Sequence, residues 1–125
     1  MKYLLLIIIA ITSFSCSKSD TQVEDNTKKV KVELTYLTGT HNTTGTYSIN
    51  GVNGGFSNEY QEYTVKKDLK IGDEIKATLS RTSTSGTGKF GILLMVNNKL
   101  VKIAESESSL KLEINYKITE EDTKQ

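Results

Sequence analysis

The side chains able to do chemistry in this 125-residue chain are few and far apart, with one histidine, His41, and one cysteine, Cys16. General acid–base or nucleophilic catalysis needs a titratable group and a nucleophile converging on one pocket. His41 lies among glycine, threonine and asparagine, a setting that reads as a solvated turn. Serines are abundant, yet none sits in the Gly-x-Ser-x-Gly elbow that exposes a nucleophile. Asp73 and Glu74 are neighbours at a strand start, where successive side chains point to opposite faces, so they make no catalytic pair. A zinc site wants three or four Cys, His or carboxylate ligands. Calcium loops carry alternating acidic residues that this chain lacks. Gly54-Gly55 and Gly86-Thr87-Gly88 have no strand-to-helix setting in which amides cradle a phosphate. The expectation is a protein that is not an enzyme and has no resident metal or cofactor.

Cys16 stands in a more telling place. Lys2 is followed by an unbroken apolar run from Leu4 to Ile11, which as a helix would rise about 12 Å against the roughly 30 Å of a bilayer core. The run is too short to span a membrane and sits where the apolar region of a signal peptide belongs. Small residues follow, and Ser13-Phe14-Ser15-Cys16 resembles the lipobox of bacterial lipoproteins. In that family the cysteine is acylated and becomes the first residue of the mature chain. A lone cysteine in an exported protein asks for a role, and lipidation supplies one. Two or three acyl chains hold firmly, at about 0.8 kcal/mol per buried methylene. The resemblance implies a signal peptide over residues 1–15, lipid on Cys16, and residence in the bacterial cell envelope. By analogy with lipoprotein sorting, Ser17 after the cysteine favours the outer membrane over the inner.

Loss of residues 1–15 removes Lys2, so the 16 basic side chains become 15 against 15 acidic ones. Near-zero net charge weighs against nucleic acid as a partner and against electrostatic adhesion to anionic membrane. No cysteine remains for a disulfide, so the fold must rest on its core. Residues 17–27 are polar and charged with Val23 the only apolar side chain, and with Cys16 and Lys28 they read as a flexible tether reaching about 20 Å.

From residue 29 the pattern alternates. Val30, Val32, Leu34 and Tyr36 share one face of a strand, with Lys29, Lys31, Glu33 and Thr35 on the other. A second strand over 44–50 turns Tyr47 and Ile49 inward. Residues 51–55, Gly-Val-Asn-Gly-Gly, predict a loop, and a third strand follows over about 58–65. Lys66-Lys67-Asp68 reads as a turn. Ile75, Ala77 and Leu79 mark a fourth strand, and residues 83–88 a loop. Residues 89–96 and 99–105 form a hairpin around Asn97-Asn98, a pair that tolerates the left-handed backbone of a two-residue turn. Its regular register sets Leu94 against Val101 and Ile92 against Ile103. A last strand over 109–118 alternates Leu110, Leu112, Ile114, Tyr116 and Ile118, and an acidic tail over 119–125 reads as disordered. Seven short strands without a helix predict an all-β antiparallel sandwich over 29–118, with a small barrel as the other way to close such strands.

In that register the outer face of the hairpin carries Leu93, Met95 and Leu100. These are either a contact for a partner or lipid, or a face that another segment covers. Tyr60 is a candidate for stacking on a sugar, beside Asn53 and Asn58.

The succession Leu34-Thr35-Tyr36, Thr38-Gly39-Thr40, Thr46-Tyr47-Ser48-Ile49-Asn50, Tyr63-Thr64-Val65, Gly72-Asp73-Glu74-Ile75 and the run from Ile92 to Val101 resembles the periplasmic domain of MmpS-type transport-accessory proteins. The resemblance covers residues 30–118 and implies a small immunoglobulin-like sandwich of about seven strands. Members of that family assist membrane lipid or siderophore exporters from a transmembrane helix, where this chain has a lipobox. The combined expectation is a lipid-anchored binding or accessory module with an envelope protein as partner. The alternative is an envelope lipoprotein that binds carbohydrate or a hydrophobic ligand.

Overall fold

A computed structural model of the chain describes residues 28–59 and 62–124. The signal peptide, Cys16, the tether and Tyr60 lie outside the described residues. Eight strands follow one another: β1 Lys29–Leu37, β2 Thr43–Ile49, β3 Val52–Glu59, β4 Tyr63–Lys70, β5 Glu74–Arg81, β6 Gly91–Val96, β7 Lys99–Glu105 and β8 Lys111–Lys117. They form two four-stranded antiparallel sheets, ordered β4-β1-β6-β7 and β3-β2-β5-β8. The chain is therefore an all-β sandwich, as its alternation predicts, with eight strands in place of seven.

The core lies between the sheets. Val30, Val32, Leu34 and Tyr36 of β1, Ile75, Ala77 and Leu79 of β5, and Ile92, Leu94 and Val96 of β6 are all buried. Period-two alternation sends each of these sets to one face, and removing this surface from water drives the sheets together. At one edge Phe56 of β3 packs against Tyr63 of β4, ring centroids 4.5 Å apart, and against Tyr36 at 5.1 Å.

Four sequence expectations need correction. Residues 52–55 belong to β3, because Asn50 and Gly51, with φ of 51° and 81°, make a tight turn directly after Ile49. Glycine is tolerated in these strands because aromatic side chains fill the missing space. A Cβ on Gly54 would stand 2.3 Å from the ring of Tyr47, and one on Gly45 2.2 Å from that of Phe56. Lys66, Lys67 and Asp68 are not a turn but the exposed middle of β4, an edge strand that buries Val65 and Leu69. The β6–β7 hairpin keeps its Asn97-Asn98 turn but slips by one residue, so that Leu94 faces Lys102, Leu93 faces Ile103 and Gly91 faces Glu105. Residues 119–124 are structured rather than a disordered tail. Glu120–Thr123 is a 3-10 turn in which the Asp122 carboxylate, 8 % exposed, accepts bonds from the Thr119 amide and hydroxyl and from the Tyr116 hydroxyl.

Strand direction sorts the connections into two ends. Residues 38–42, 82–90 and 106–110 gather at one, called here the loop end. The chain enters β1 at the other, the entry end, which also holds the turns at 50–51, 71–73 and 97–98 and the C-terminal 3-10 turn. Nine residues of β1 separate the two ends by about 30 Å. In the sheet that contains β1, the two edge strands each place a lysine in the inner row, Lys67 opposite Val32 and Lys102 opposite Leu94.

Candidate functional site

Two places in the sandwich gather side chains that the core does not use. The first is the outer face of β6 and β7. Burial of Ile92, Leu94 and Val96 leaves Leu93 and Met95 on the far side of β6, half-buried. Met95 pairs with Leu100 and Leu93 with Ile103. The three residues singled out in the sequence are thus brought together, and the slip in β7 adds a fourth. In an unbroken register Lys102 would stand beside Leu93 and Ile103 would point inward. The bulge at Val101 exchanges them, a one-residue shift that moves every later side chain to the opposite face. Leu100 and Ile103 are each 47 % exposed. On β1 the neighbours in the same rows are Thr35 and Glu33, and Glu33 lies 3.7 Å from Lys66 of β4. One half of the outer face is therefore apolar and the other half charged.

The second place is at the loop end. His41 is not a solvated turn residue, being only 4 % exposed. Its ring meets that of Phe90 edge-on at 5.8 Å, and Nη1 of Arg81 lies 3.1 Å from its Nε2. Arg81 follows Ile75, Ala77 and Leu79 in the inward row of β5, so its side chain is carried into the end of the core. There Nε donates to the Ser109 carbonyl, Nη2 donates to those of Ser106 and Glu107, and the guanidinium carbon sits 4.0 Å from the Phe90 ring centroid. Arginine has donors only, in a planar fork, and a backbone turn offering several carbonyls is a fitting acceptor. Three carbonyls of the β7–β8 connection are thereby tied to the end of β5.

The opposite wall of this end is clamped through Thr40 and Thr87. The Thr87 amide donates to the Thr40 hydroxyl at 2.7 Å, and the Thr40 amide to the Thr87 carbonyl at 2.8 Å. Gly39 allows the approach, since a Cβ there would fall 2.3 Å from the Thr87 oxygen. Above His41, Arg81 and Phe90 opens a cleft of about 720 Å³ with Lys89, Glu105 and Glu107 among its walls. Nε and Nη2 of Arg81 are spent on carbonyls and Nη1 faces His41, so this residue shapes the cleft. Charges of both signs make it a polar recess. Among the described residues no group of three or more His, Cys, Asp or Glu side chains is placed to hold a metal ion.

Two tyrosines of the described residues have raised pKa values. Burial raises Tyr36 far above the usual phenol range, helped by Tyr47 and Tyr63, while its hydroxyl donates to the Thr46 carbonyl at 2.7 Å. Tyr116 is pushed up to about 12, first by burial and then by the carboxylate of Asp122. Both lie away from the cleft.

Of the other sequence candidates, Asn53 is exposed on β3 rather than in a loop. Among the described residues no helix is long and apolar enough to cross a membrane. No protein-family model matches the chain. No curated protein matches it significantly.

Proposed function

We propose that this chain is a non-catalytic, lipid-anchored module of the bacterial cell envelope that works by binding a partner protein through the outer face of β6 and β7. The observation that carries this reading is the set of four apolar side chains, Leu93, Met95, Leu100 and Ile103, side by side on a face turned away from the core. An aliphatic side chain gains about 1.5–3 kcal/mol on full burial, so a cluster standing in water is better explained by a contact than by chance. The lipobox resemblance at Cys16 supports the anchor, and an accessory role beside an envelope transporter agrees with the MmpS-type pattern read in the sequence.

The test is cross-linking of the intact, membrane-held protein in its own cells, compared with Leu100→Asp and Ile103→Asp. Both residues are half in water, so charge there spares the core. The same partner must be captured by the parent protein and lost from both variants. Capture that persists in both overturns the reading.

The loop-end cleft favours a second reading, a binder of a small polar ligand such as a carbohydrate. It would be supported by sugars that perturb amides of residues 84–90 and 105–107 in solution spectra.

A further inference from the structure

Among the described residues five large apolar side chains are strongly exposed, and two of them, Val52 at 70 % and Ile71 at 43 %, stand at turns of the entry end. Val52 directly follows the Asn50-Gly51 turn and Ile71 precedes Gly72, whose φ is 94°. The Asn50 amide donates to the Glu74 carbonyl at 3.0 Å and the Glu74 amide to Oδ1 of Asn50 at 2.9 Å, which ties the turn before Val52 to the connection that carries Ile71. Val52 and Ile71 therefore project from one corner of the molecule. A Cβ on the adjoining Gly51 or Gly72 would meet nothing within 4 Å, so the corner is open space.

The chain arrives at the same end. Lys28 leads into β1, and eleven residues separate it from Cys16. A coil of that length has a mean reach of about 20 Å. We infer that the Val52–Ile71 corner rests in the lipid surface that holds Cys16, with both aliphatic side chains at the boundary between headgroups and acyl chains. This inference rests on the acylation of Cys16 proposed above. Lysines stand where the chain enters this end. Lys28 and Lys29 are exposed beside β4, with Lys29 opposite Lys70. Glu74 is exposed at this end too, and Glu120 and Glu121 lie on the C-terminal turn just after Ile118, whose carbonyl accepts the Gly72 amide at 2.9 Å. Lys28 and Lys29 suit a phosphate-bearing surface, while the neighbouring carboxylates limit how deeply this end is lowered. Asp73, the acidic residue nearest Ile71, is turned back to accept the Lys70 amide at 2.9 Å.

Two side chains would hold a free domain to a membrane only weakly. A short tether changes this, because it keeps the domain at an effective concentration of order millimolar and makes even a weak contact populated. In this posture the loop-end cleft points away from the lipid, about 30 Å above it.

The test uses the full-length acylated protein in vesicles of phosphatidylcholine and phosphatidylglycerol. Spin labels are placed singly through Val52→Cys, Ile71→Cys and Thr84→Cys; acylated Cys16 does not react. Labels at 52 and 71 are expected to be shielded from a water-soluble nickel chelate, about threefold or more relative to the label at 84, and to be the more open to oxygen. Equal nickel access at all three positions overturns the inference while leaving the anchor intact. The mass of the mature N-terminal peptide is measured beforehand, and an unmodified Cys16 overturns both.

Discussion

The guanidinium carbon of Arg81 stands 4.0 Å from the centroid of the Phe90 ring, joining the last residue of β5 to the residue before β6. The fork above that ring is what ties down residues 106–109. Arg81→Lys keeps the charge but loses the fork, so it cannot serve three carbonyls at once. It is expected to lower stability by about 2 kcal/mol, the scale of hydrogen bonds to a charged donor. A urea midpoint unchanged from the parent would show that the clasp is dispensable.

The alkaline limb of stability should carry the mark of Tyr116. The fold favours the neutral phenol, so the contribution is whole below the ordinary value of 10.0 and is lost as pH rises through about 12. Tyr36, raised further still by burial, adds a contribution of the same sign over the same rise. Tyr116→Phe should therefore reduce the fall in urea midpoint across the alkaline range without abolishing it. An undiminished slope in that variant would mean that the Asp122 contact does not hold the phenol neutral.

Gly45 is covered by Phe56, which in turn reaches Tyr36 and Tyr63. Gly45→Ala forces that ring aside, with an expected loss of about 1–3 kcal/mol as for other overpacked cores. Gly51→Ala meets no atoms but keeps a positive φ, and should cost about 1 kcal/mol through backbone strain alone. Near-ultraviolet circular dichroism separates the two, since only the first disturbs the aromatic cluster.

The two asparagines of the β6–β7 turn should respond in opposite directions. Asn98 has φ of 66°, and its side chain makes no hydrogen bond among the described residues, so Asn98→Gly should gain about 0.5 kcal/mol by relieving left-handed strain. Asn97 also has positive φ, but its Oδ1 accepts the Lys31 amide and its Nδ2 donates to the Asp122 carbonyl. Asn97→Gly should cost about 1–2 kcal/mol despite the easier backbone. Equal shifts in thermal midpoint would mean that the bonds to β1 and the C-terminal turn contribute nothing.

The alternating strands were open to reading because one face of each is core. β1, β5 and β8 announce themselves through period-two patterns that burial then obeys. The β3 hairpin was also written in the chain, as Asn50-Gly51 between Ile49 and Val52, but glycines 54 and 55 looked like loop because their justification, the Tyr47 ring across the strand pair and close backbone approach, is tertiary. The ordered tail had its own local signal, a threonine three residues before an aspartate at Thr119 and Asp122, which is the spacing of a capping box. Arg81 could have been placed inward by continuing the row of Ile75, Ala77 and Leu79. His41 could not, since its burial depends on an arginine 40 residues away. The bulge at Val101, which brings Ile103 beside Leu93, has no residue signature in the hairpin. It follows from satisfying both strands at once.

Lys67 and Lys102 give the β1 sheet a social consequence. A strand from another molecule can extend a sheet sideways only by continuing its inner row, and at either margin it would have to seal an ammonium group away from water. Proteins moored to one surface meet at far higher frequency than proteins in solution, and open sheet margins would there be seeds for fibres. Both margins of this sheet are closed to such pairing.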